Sequence, residues 1–399
     1  MIRQAPYWEE QELQCLAGYA STCARLPGGV KQPRRHPEPV DHYRTRFQHD
    51  RDRILHSASF RKLQHKTQVF VTHEGDLYRT RMTHTLETTQ IASAVSRTMG
   101  LNTVLAESIA MAHDIGHAPF GHGGEEELNH LMKDSGGFDH NIHSLRLVDV
   151  LESSYTDFSG LNLCWETREG LARHSTPFDA PGKESGFSIH RQPSPECQVV
   201  NLADIIAWCT HDLDDALRIG LLNRSWLEQK SGRIPLLGRV AEALRGGEAR
   251  AQPPGDAPRT RAVSMMINTL ISDVVTESTA RIDALGIETV DDVRNCREEC
   301  IAFSGTISRQ VRELLDSMVR EVYLHPLVNR MVYKGKHIIR RLFEILCEHP
   351  DIMRPASGFR PAVQGPRGVC DYIAGLTDRS AMDLYSMLFE PYSRTTDWF

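Results

Sequence analysis

The chain has 399 residues, enough for a large buried core, and its 52 acidic and 46 basic residues give a net charge of −6. That balance argues against a protein that coats nucleic acid through a basic surface. The first 14 residues contain no apolar run, so we predict neither a signal peptide nor a membrane span there. Nine cysteines occur without a Cys-x-x-Cys pair, which predicts reduced core thiols in a cytoplasmic protein.

The first part of the chain combines an irregular arm with a concentration of histidines. Residues 25–40 are rich in proline and glycine, which predicts a segment without regular structure. Thirteen of the 19 histidines lie between His36 and His143. We therefore look for the chemistry of the protein in this part of the chain.

Two helices are predicted between residues 81 and 113. Arg81, His84 and Thr88 begin a row at helical intervals of three and four, so they share one helix face. Asn102 can cap a second helix that ends at His113, before Gly116 and the proline that follows it. The two helices would hold metal-type ligands on rigid supports.

The ligand types in this stretch are those of a divalent metal site. His84 is followed by the adjacent pair His113 and Asp114, and imidazole and carboxylate suit a transition metal, Mg²⁺ or Mn²⁺. The alternative is a set of buried histidines that hydrogen-bond in a core. The clustering favours the metal, and the nearby Arg81 is our candidate phosphate clamp, since guanidinium matches phosphate oxygens with two parallel hydrogen bonds. A bond from Arg81 to a ligand carboxylate would be compatible with that role.

Three further residues follow the metal pair closely, namely His117, His122 and Glu125. One histidine would transfer a proton to or from water and the leaving oxygen, and the glutamate would orient an imidazole. The sequence does not decide which histidine does so.

A long helix is predicted from Pro195 to Gly220. Asp204 lies on its small, apolar face, where an unpaired carboxylate would be costly, so it needs a cation or a donor such as Arg81. The acidic run that follows, Asp212 with positions 214 and 215, is by default a solvated helix end. Asp212 alone, two turns from Asp204, is close enough to the same face to reach a substrate.

Helical periodicity dominates the chain and strand-like alternation is rare, so we predict an all-α fold. Three stretches rich in proline and glycine, 181–195, 245–258 and 355–368, are predicted loops. We divide the chain into an N-terminal arm (1–43), a metal-binding core (44–225) and a C-terminal helical region (226–399).

Longer sequence motifs resemble one family. The motifs are RDRILHSASFRKLQHKTQVF, YRTRMTHTLETTQIA, AHDIGHAPFGHGGEEEL, GFDHN and VVNLADIIAWCTHDLDDALRIGLL, with CDYIAGLTDRSAMDLY near the end. Together they are similar to the HD-domain deoxynucleoside triphosphate triphosphohydrolases, the dGTPase-like branch. The resemblance implies an HD phosphohydrolase core with a C-terminal helical lobe.

The resemblance also implies roles for individual residues. Asp204 would complete the metal ligands His84, His113 and Asp114. His122 with Glu125 would transfer the proton, and His117 would face the phosphates. Gln68 would bond the sugar hydroxyl and His140 would reach the phosphates, although either residue could equally be structural.

The reaction implied is hydrolysis at the α-phosphorus, which releases a deoxynucleoside and inorganic triphosphate. The chain departs from the family at two positions. Trp208 stands where a tyrosine is expected against the sugar, and Asn201 stands where an aspartate is more usual. Neither is a metal ligand, so these changes bear on the preferred nucleotide rather than on hydrolysis.

Two other functions share these features. One is another HD-type nucleotide phosphohydrolase, such as a nucleotidase or a phosphodiesterase, and the other is a non-catalytic sensor of nucleotides or single-stranded nucleic acid. The family resemblance further implies a homo-oligomer and leaves open an allosteric nucleotide and weak binding of single-stranded nucleic acid.

Overall fold

The structure, a computed structural model, describes residues 4–69, 79–177, 185–248, 257–353 and 364–392. Within these ranges the chain is helical and contains no strand, which confirms the all-α prediction. The helices are α1 (Ala5–Cys15), α2 (Arg46–His56), α3 (Ala58–Lys62), α4 (Arg81–Thr98), α5 (Thr103–Ala112), α6 (Gly121–Leu131), α7 (His140–Arg146), α8 (Trp165–Ala172), α9 (Pro195–Arg218), α10 (Arg224–Ser231), α11 (Pro235–Glu248), α12 (Ala257–Leu285), α13 (Val290–Asn295), α14 (Gly305–Met318), α15 (Pro326–Glu348), α16 (Pro366–Ala374) and α17 (Asp378–Phe389).

The helices that would carry the metal begin and end close to the predicted positions. Thr80 caps α4, and the Asn102 side chain accepts a hydrogen bond from the Leu105 N–H at the start of α5. Helix α9 begins at Pro195 and is followed by Gly220 with φ of +75°, a conformation that glycine adopts without strain. The three helices α4, α5 and α9 pack against one another in the largest apolar cluster.

That cluster extends well beyond these three helices. It includes apolar residues of α10, α11, α12 and α14, so the helices after residue 225 complete the core around α9. A second apolar cluster joins α6 to α15, α16 and α17. The division into a core at 44–225 and a C-terminal region stays a prediction.

The irregular segments agree in part with the sequence analysis. Residues 25–40 contain neither helix nor strand, as predicted. Residues 178–184, 249–256 and 354–363, which hold much of the three predicted loops, lie outside the described residues. In the described part of the second one, the loop prediction is wrong, because α11 continues to Glu248 and α12 begins at Ala257.

The cysteines and helices agree with two further expectations. All nine cysteines are free thiols, and six of them are buried. No helix in the described part of the chain is both long and apolar enough to span a membrane.

Candidate functional site

Four predicted ligands meet at the junction of α4, α5 and α9. His84 comes from the first turn of α4, His113 and Asp114 follow the end of α5, and Asp204 lies in the middle of α9. Nε2 of His84 is 2.8 Å from Oδ1 of Asp204. Nε2 of His113 is 3.6 Å from Oδ1 of Asp114 and 3.7 Å from Oδ1 of Asp204. The helix packing therefore brings donor atoms of His84, His113 and Asp204 together, with Asp114 beside His113.

These separations fit one shared cation. Ligand atoms bound at about 2.1 Å and at right angles to each other are about 3.0 Å apart, and tetrahedral angles separate them slightly more. Among the described residues, the donor atoms of His84, His113 and Asp204 lie within 4.8 Å of one another, and those of Asp114, His117 and His140 form a second such set. Two imidazoles and two carboxylates would leave water positions on a six-coordinate ion.

His113 offers the clearest single indication of a metal. Its Nδ1 lies 2.5 Å from the Ala110 carbonyl oxygen, to which it donates, so the lone pair is on Nε2. That Nε2 is buried and has no hydrogen-bond partner among the described residues. Burial lowers the pKa of His113, which keeps the imidazole neutral, as a metal ligand must be. A buried acceptor of this kind is costly unless a cation or a donor meets it.

Asp204 is buried among imidazoles. Burial raises the pKa of its carboxyl, but hydrogen bonds from His174 and His84 outweigh this and hold the pKa well below its usual range. The alternative partner Arg81 does not pair with Asp204, because its guanidinium binds Asp114. His174 is fully buried, and its Nε2 lies 3.3 Å from Oδ2 of Asp204. No sequence pattern marks His174, because it stands alone after α8 without any recurring spacing.

Arg81 connects the ligand carboxylate to the substrate cleft. Its Nη1 donates to Oδ2 of Asp114 over 2.8 Å, and both side chains are buried. The other carboxylate oxygen, Oδ1 of Asp114, lies between the imidazoles, 3.6 Å from Nε2 of His113 and 3.2 Å from Nε2 of His117. Arg81 lines the cleft, and its Nη2 is buried without a hydrogen-bond partner in the described part of the chain, so the side chain retains a donor for an anionic group.

A second polar cluster adjoins the ligands. His117 lies with its Nε2 3.2 Å from Oδ1 of Asp114 and stacks on His140, the ring centroids being 3.8 Å apart. Glu125 accepts hydrogen bonds of 2.9 Å from both the backbone N–H and Nδ1 of His140. Its other oxygen lies 3.4 Å from Nδ1 of His117 and 3.9 Å from Nδ1 of His122. Glu125 thus contacts three histidines, with His140 the nearest.

The histidines of this cluster differ in their surroundings. His117 is buried, and burial together with the Arg81 charge holds its pKa well below the usual range, so it is neutral. The His122 side chain is 61% exposed at the cleft. Burial raises the pKa of Glu125, but the neighbouring His140 and His117 outweigh burial and keep the carboxylate ionised.

The cleft beside these clusters has a volume of about 410 Å³ including space open to solvent. Its described lining joins polar and apolar side chains: Gln68, Arg81, His84, Asp114, His117, His122, Thr176, Pro177, Asp204, Ile205, Trp208 and Leu315. Gln68 and Trp208 both line this cleft, and their contacts with a sugar stay predictions. The Trp208 ring stacks on Tyr323, with 5.4 Å between the centroids.

The acidic end of α9 is not a solvated surface, and that prediction was wrong. The carboxylates of Asp214 and Asp215 are buried because both pair with Arg79, and Arg259 also binds Asp214. Asp212 is buried as well and accepts a hydrogen bond from the Tyr323 hydroxyl. It is not among the described residues that line the cleft, so its predicted contact with a substrate stays a prediction.

Comparison with known proteins gives the family. Residues 81–209 match the model of the HD domain, and residues 301–387 match the phosphohydrolase-associated domain. A deoxyguanosinetriphosphate triphosphohydrolase-like protein of Geobacter sulfurreducens is 44% identical over 95% of this chain and 96% of its own length. The protein of that name from Syntrophus aciditrophicus is 44% identical over 97% of each chain, and the one from Bordetella pertussis is 43% identical over 94% of this chain. The chain belongs to this family.

Membership confirms the family predicted from the motifs and makes the chain an HD-domain phosphohydrolase. The HD domain match begins at Arg81 and ends one residue beyond Trp208, so it contains all four candidate ligands. The dGTPase-like relatives align along nearly the whole chain, including the helices after residue 225.

Proposed function

We propose that this protein hydrolyses deoxynucleoside triphosphates at the α-phosphorus and releases a deoxynucleoside and inorganic triphosphate. The observation that supports this most directly is the unpartnered, buried Nε2 of His113, which faces two carboxylates beside a cleft bordered by Arg81. The bond cleaved and the nucleotide are suggested by the family.

His84, His113, Asp114 and Asp204 would hold one divalent metal ion. The ion would supply Lewis acidity, which lowers the pKa of water and stabilises negative charge on phosphate oxygens. The neutral imidazole of His113 is fixed by its bond to the Ala110 carbonyl oxygen, so this ligand needs no change of tautomer for binding.

Arg81 would orient the polyphosphate. Its Nη1 is already bound to Asp114, and its Nη2 has no hydrogen-bond partner among the described residues. A guanidinium held by a carboxylate loses little additional freedom when it binds phosphate, so positioning is achieved before the substrate arrives.

His122 would protonate the leaving oxygen of the deoxynucleoside. It is exposed to the cleft, whereas His117 is buried beside Arg81 and neutral. Glu125 would hold His140 and His117 in place and contact His122 at a longer distance. His117 would face the phosphates, with its Nε2 beside Asp114 and its Nδ1 beside Glu125.

The experiment is to incubate the purified protein with each dNTP and Mn²⁺ or Mg²⁺ and to identify the phosphate product. Inorganic triphosphate with free deoxynucleoside is the expected result. Orthophosphate or pyrophosphate would instead indicate another HD-type phosphohydrolase. Binding without turnover would indicate the non-catalytic sensor. For the variant His122→Ala, the control is His130→Ala, an exposed change on the same helix.

The predictions about oligomers and further ligands need separate experiments. A homo-oligomer, an allosteric nucleotide and weak binding of single-stranded nucleic acid stay predictions. Sedimentation with and without dNTPs tests the first two, and titration of a labelled single strand at two salt concentrations tests the third.

A further inference from the structure

The loop between α5 and α6 has an unusual backbone at the point where it delivers His122. Phe120 adopts φ of +65° and ψ of +25°, and the next residue, Gly121, has φ of +60°. A glycine accepts this left-handed conformation, but a bulky residue such as phenylalanine rarely does. Neighbouring groups must therefore hold Phe120 in place.

Asp378 provides one of these restraints from the distant end of the chain. Its Oδ1 accepts a hydrogen bond of 2.9 Å from the backbone N–H of Phe120. Its Oδ2 accepts one of 2.9 Å from the backbone N–H of Thr67 and another from the Thr67 hydroxyl. The carboxylate is buried in the first turn of α17, where the helix dipole favours a negative charge. One side chain thus holds the residue before Gln68 and the loop before His122.

Lys66 makes a parallel connection. Its buried ammonium donates to the carbonyl oxygen of His117 and, over 2.9 Å, to that of Ala374 at the end of α16. The junction between α16 and α17 is therefore connected to the loop on both sides of Pro119. Lys66 connects it to His117, and Asp378 connects it to Phe120.

The Phe120 side chain is fixed by a third element. A Cβ atom added to Gly335 of α15 would lie 2.6 Å from Cβ of Phe120, closer than two non-bonded carbon atoms approach each other. Phe120 also packs in the apolar cluster formed by α6, α15, α16 and α17. Both the backbone and the ring of this residue thus depend on the C-terminal helices.

We infer that Asp378 is a positioning residue of the active site, which holds the His117–His122 loop and the segment carrying Gln68 in their working geometry. Asp378 is neither one of the candidate metal ligands nor one of the described residues that line the cleft. The C-terminal helices are then part of the catalytic unit rather than a separate lobe. The activity test rests on the proposed function, but a second readout does not.

The activity test is a double-mutant cycle with Asp378→Asn and His122→Ala. The amide keeps the size of the carboxylate but cannot accept from all three donors, so Phe120 can relax. We expect Asp378→Asn alone to lower kcat/KM for the dNTP by about 10- to 100-fold, since a displaced proton donor is costly. In the His122→Ala background the same change should lower kcat/KM by a clearly smaller factor, because the part of its effect that acts through His122 is already lost.

Asp383→Asn is the matched control, because its side chain is 62% exposed on the same helix. It should leave kcat/KM unchanged, and metal content should be unchanged in every variant except those of the ligands. An effect of Asp378→Asn that is as large without His122 as with it would assign Asp378 a general role in stability and overturn the inference.

Amide hydrogen exchange is the readout that needs no substrate. Asp378→Asn should accelerate exchange at Thr67 and in residues 117–124, but not in α5 or α9. Gly335→Ala should do the same in residues 117–124, whereas Gly305→Ala, with open space around the added Cβ, should not. Unchanged exchange in Asp378→Asn would overturn the inference. A wild-type protein that releases no triphosphate, yet shows the exchange pattern, would overturn only the proposed function.

Discussion

Nη1 of Arg81 lies 2.8 Å from Oδ2 of Asp114, so the candidate phosphate clamp and a candidate metal ligand form one buried ion pair. We predict that Arg81→Lys lowers kcat/KM for the preferred dNTP by about 10- to 100-fold, since a lysine cannot bind Asp114 and a phosphate through a planar fork. Steady-state kinetics test this, with the exposed Arg97→Lys on the same helix as the control. Equal kinetics for the two variants would remove Arg81 from the site.

A metal-binding experiment should distinguish the metal ligands from their neighbour His174. His113→Ala and Asp204→Ala should lose the ion, because each removes a donor from the four that converge. His174→Ala should keep the ion with affinity reduced about 10- to 100-fold, as for residues that orient a ligand. Metal analysis and titration provide the measurement. An unchanged ion content in both ligand variants would refute the proposed ligand set.

Proton transfer can be distinguished from metal binding in the second cluster. His122→Ala and Glu125→Ala should keep the metal but lose about 10²- to 10⁴-fold in kcat, the usual contribution of a proton-transfer group. His130→Ala on the same helix should behave like the wild type. Full activity in both test variants would move the acid elsewhere, and His117 is then the next candidate.

Most of the local features that position the ligands could be predicted from the sequence. Helical spacing placed His84 on α4, and the cap at Asn102 and the break at Gly116 placed His113 and Asp114 at the end of α5. These are local signals, because capping and periodicity depend on residues a few positions apart. Family resemblance was needed to select Asp204, whose burial alone left two partners open.

The features that the sequence missed are contacts between distant elements. The bond between Glu125 and His140 joins α6 to α7, and His174 reaches Asp204 from the end of α8. The acidic end of α9 looked solvated because Arg79 and Arg259, which neutralise it, lie far away in the chain. Nothing in a single sequence specifies such pairs, since they arise only when the helices pack.

Glu166 should make stability depend on pH. Burial raises the pKa of this carboxyl to about 7 from an ordinary value of 4.5, so the folded protein retains a proton that the unfolded chain releases. This group therefore costs stability as pH rises from about 4.5 to about 7, by about 3 kcal/mol in total. Glu166→Gln should raise the free energy of unfolding at pH 8 but not at pH 4.5. Denaturant melts at both pH values test this, with the exposed Glu298→Gln as the control.

Trp208 is the position at which this chain departs from its family, and its surroundings give a specific expectation. The indole lines the cleft one turn beyond Asp204 and stacks on Tyr323. If its face meets the sugar, its bulk excludes a ribose hydroxyl by shape. Trp208→Tyr should then remain active with a changed preference among dNTPs. Trp208→Ala should weaken discrimination against ribonucleotides by about 1–3 kcal/mol, or roughly 10- to 200-fold in relative kcat/KM.

The competing role of Trp208 is packing alone. The Trp208 ring on α9 stacks on Tyr323, so replacing Trp208 by alanine would remove an aromatic contact and lower the melting temperature in either case. The ratio of kcat/KM for dGTP to that for GTP is therefore the deciding measurement, made beside the melting temperature for the wild type and both variants. A lowered melting temperature with an unchanged ratio would make Trp208 a core residue only, and sugar discrimination would then have to come from other residues of the cleft such as Gln68.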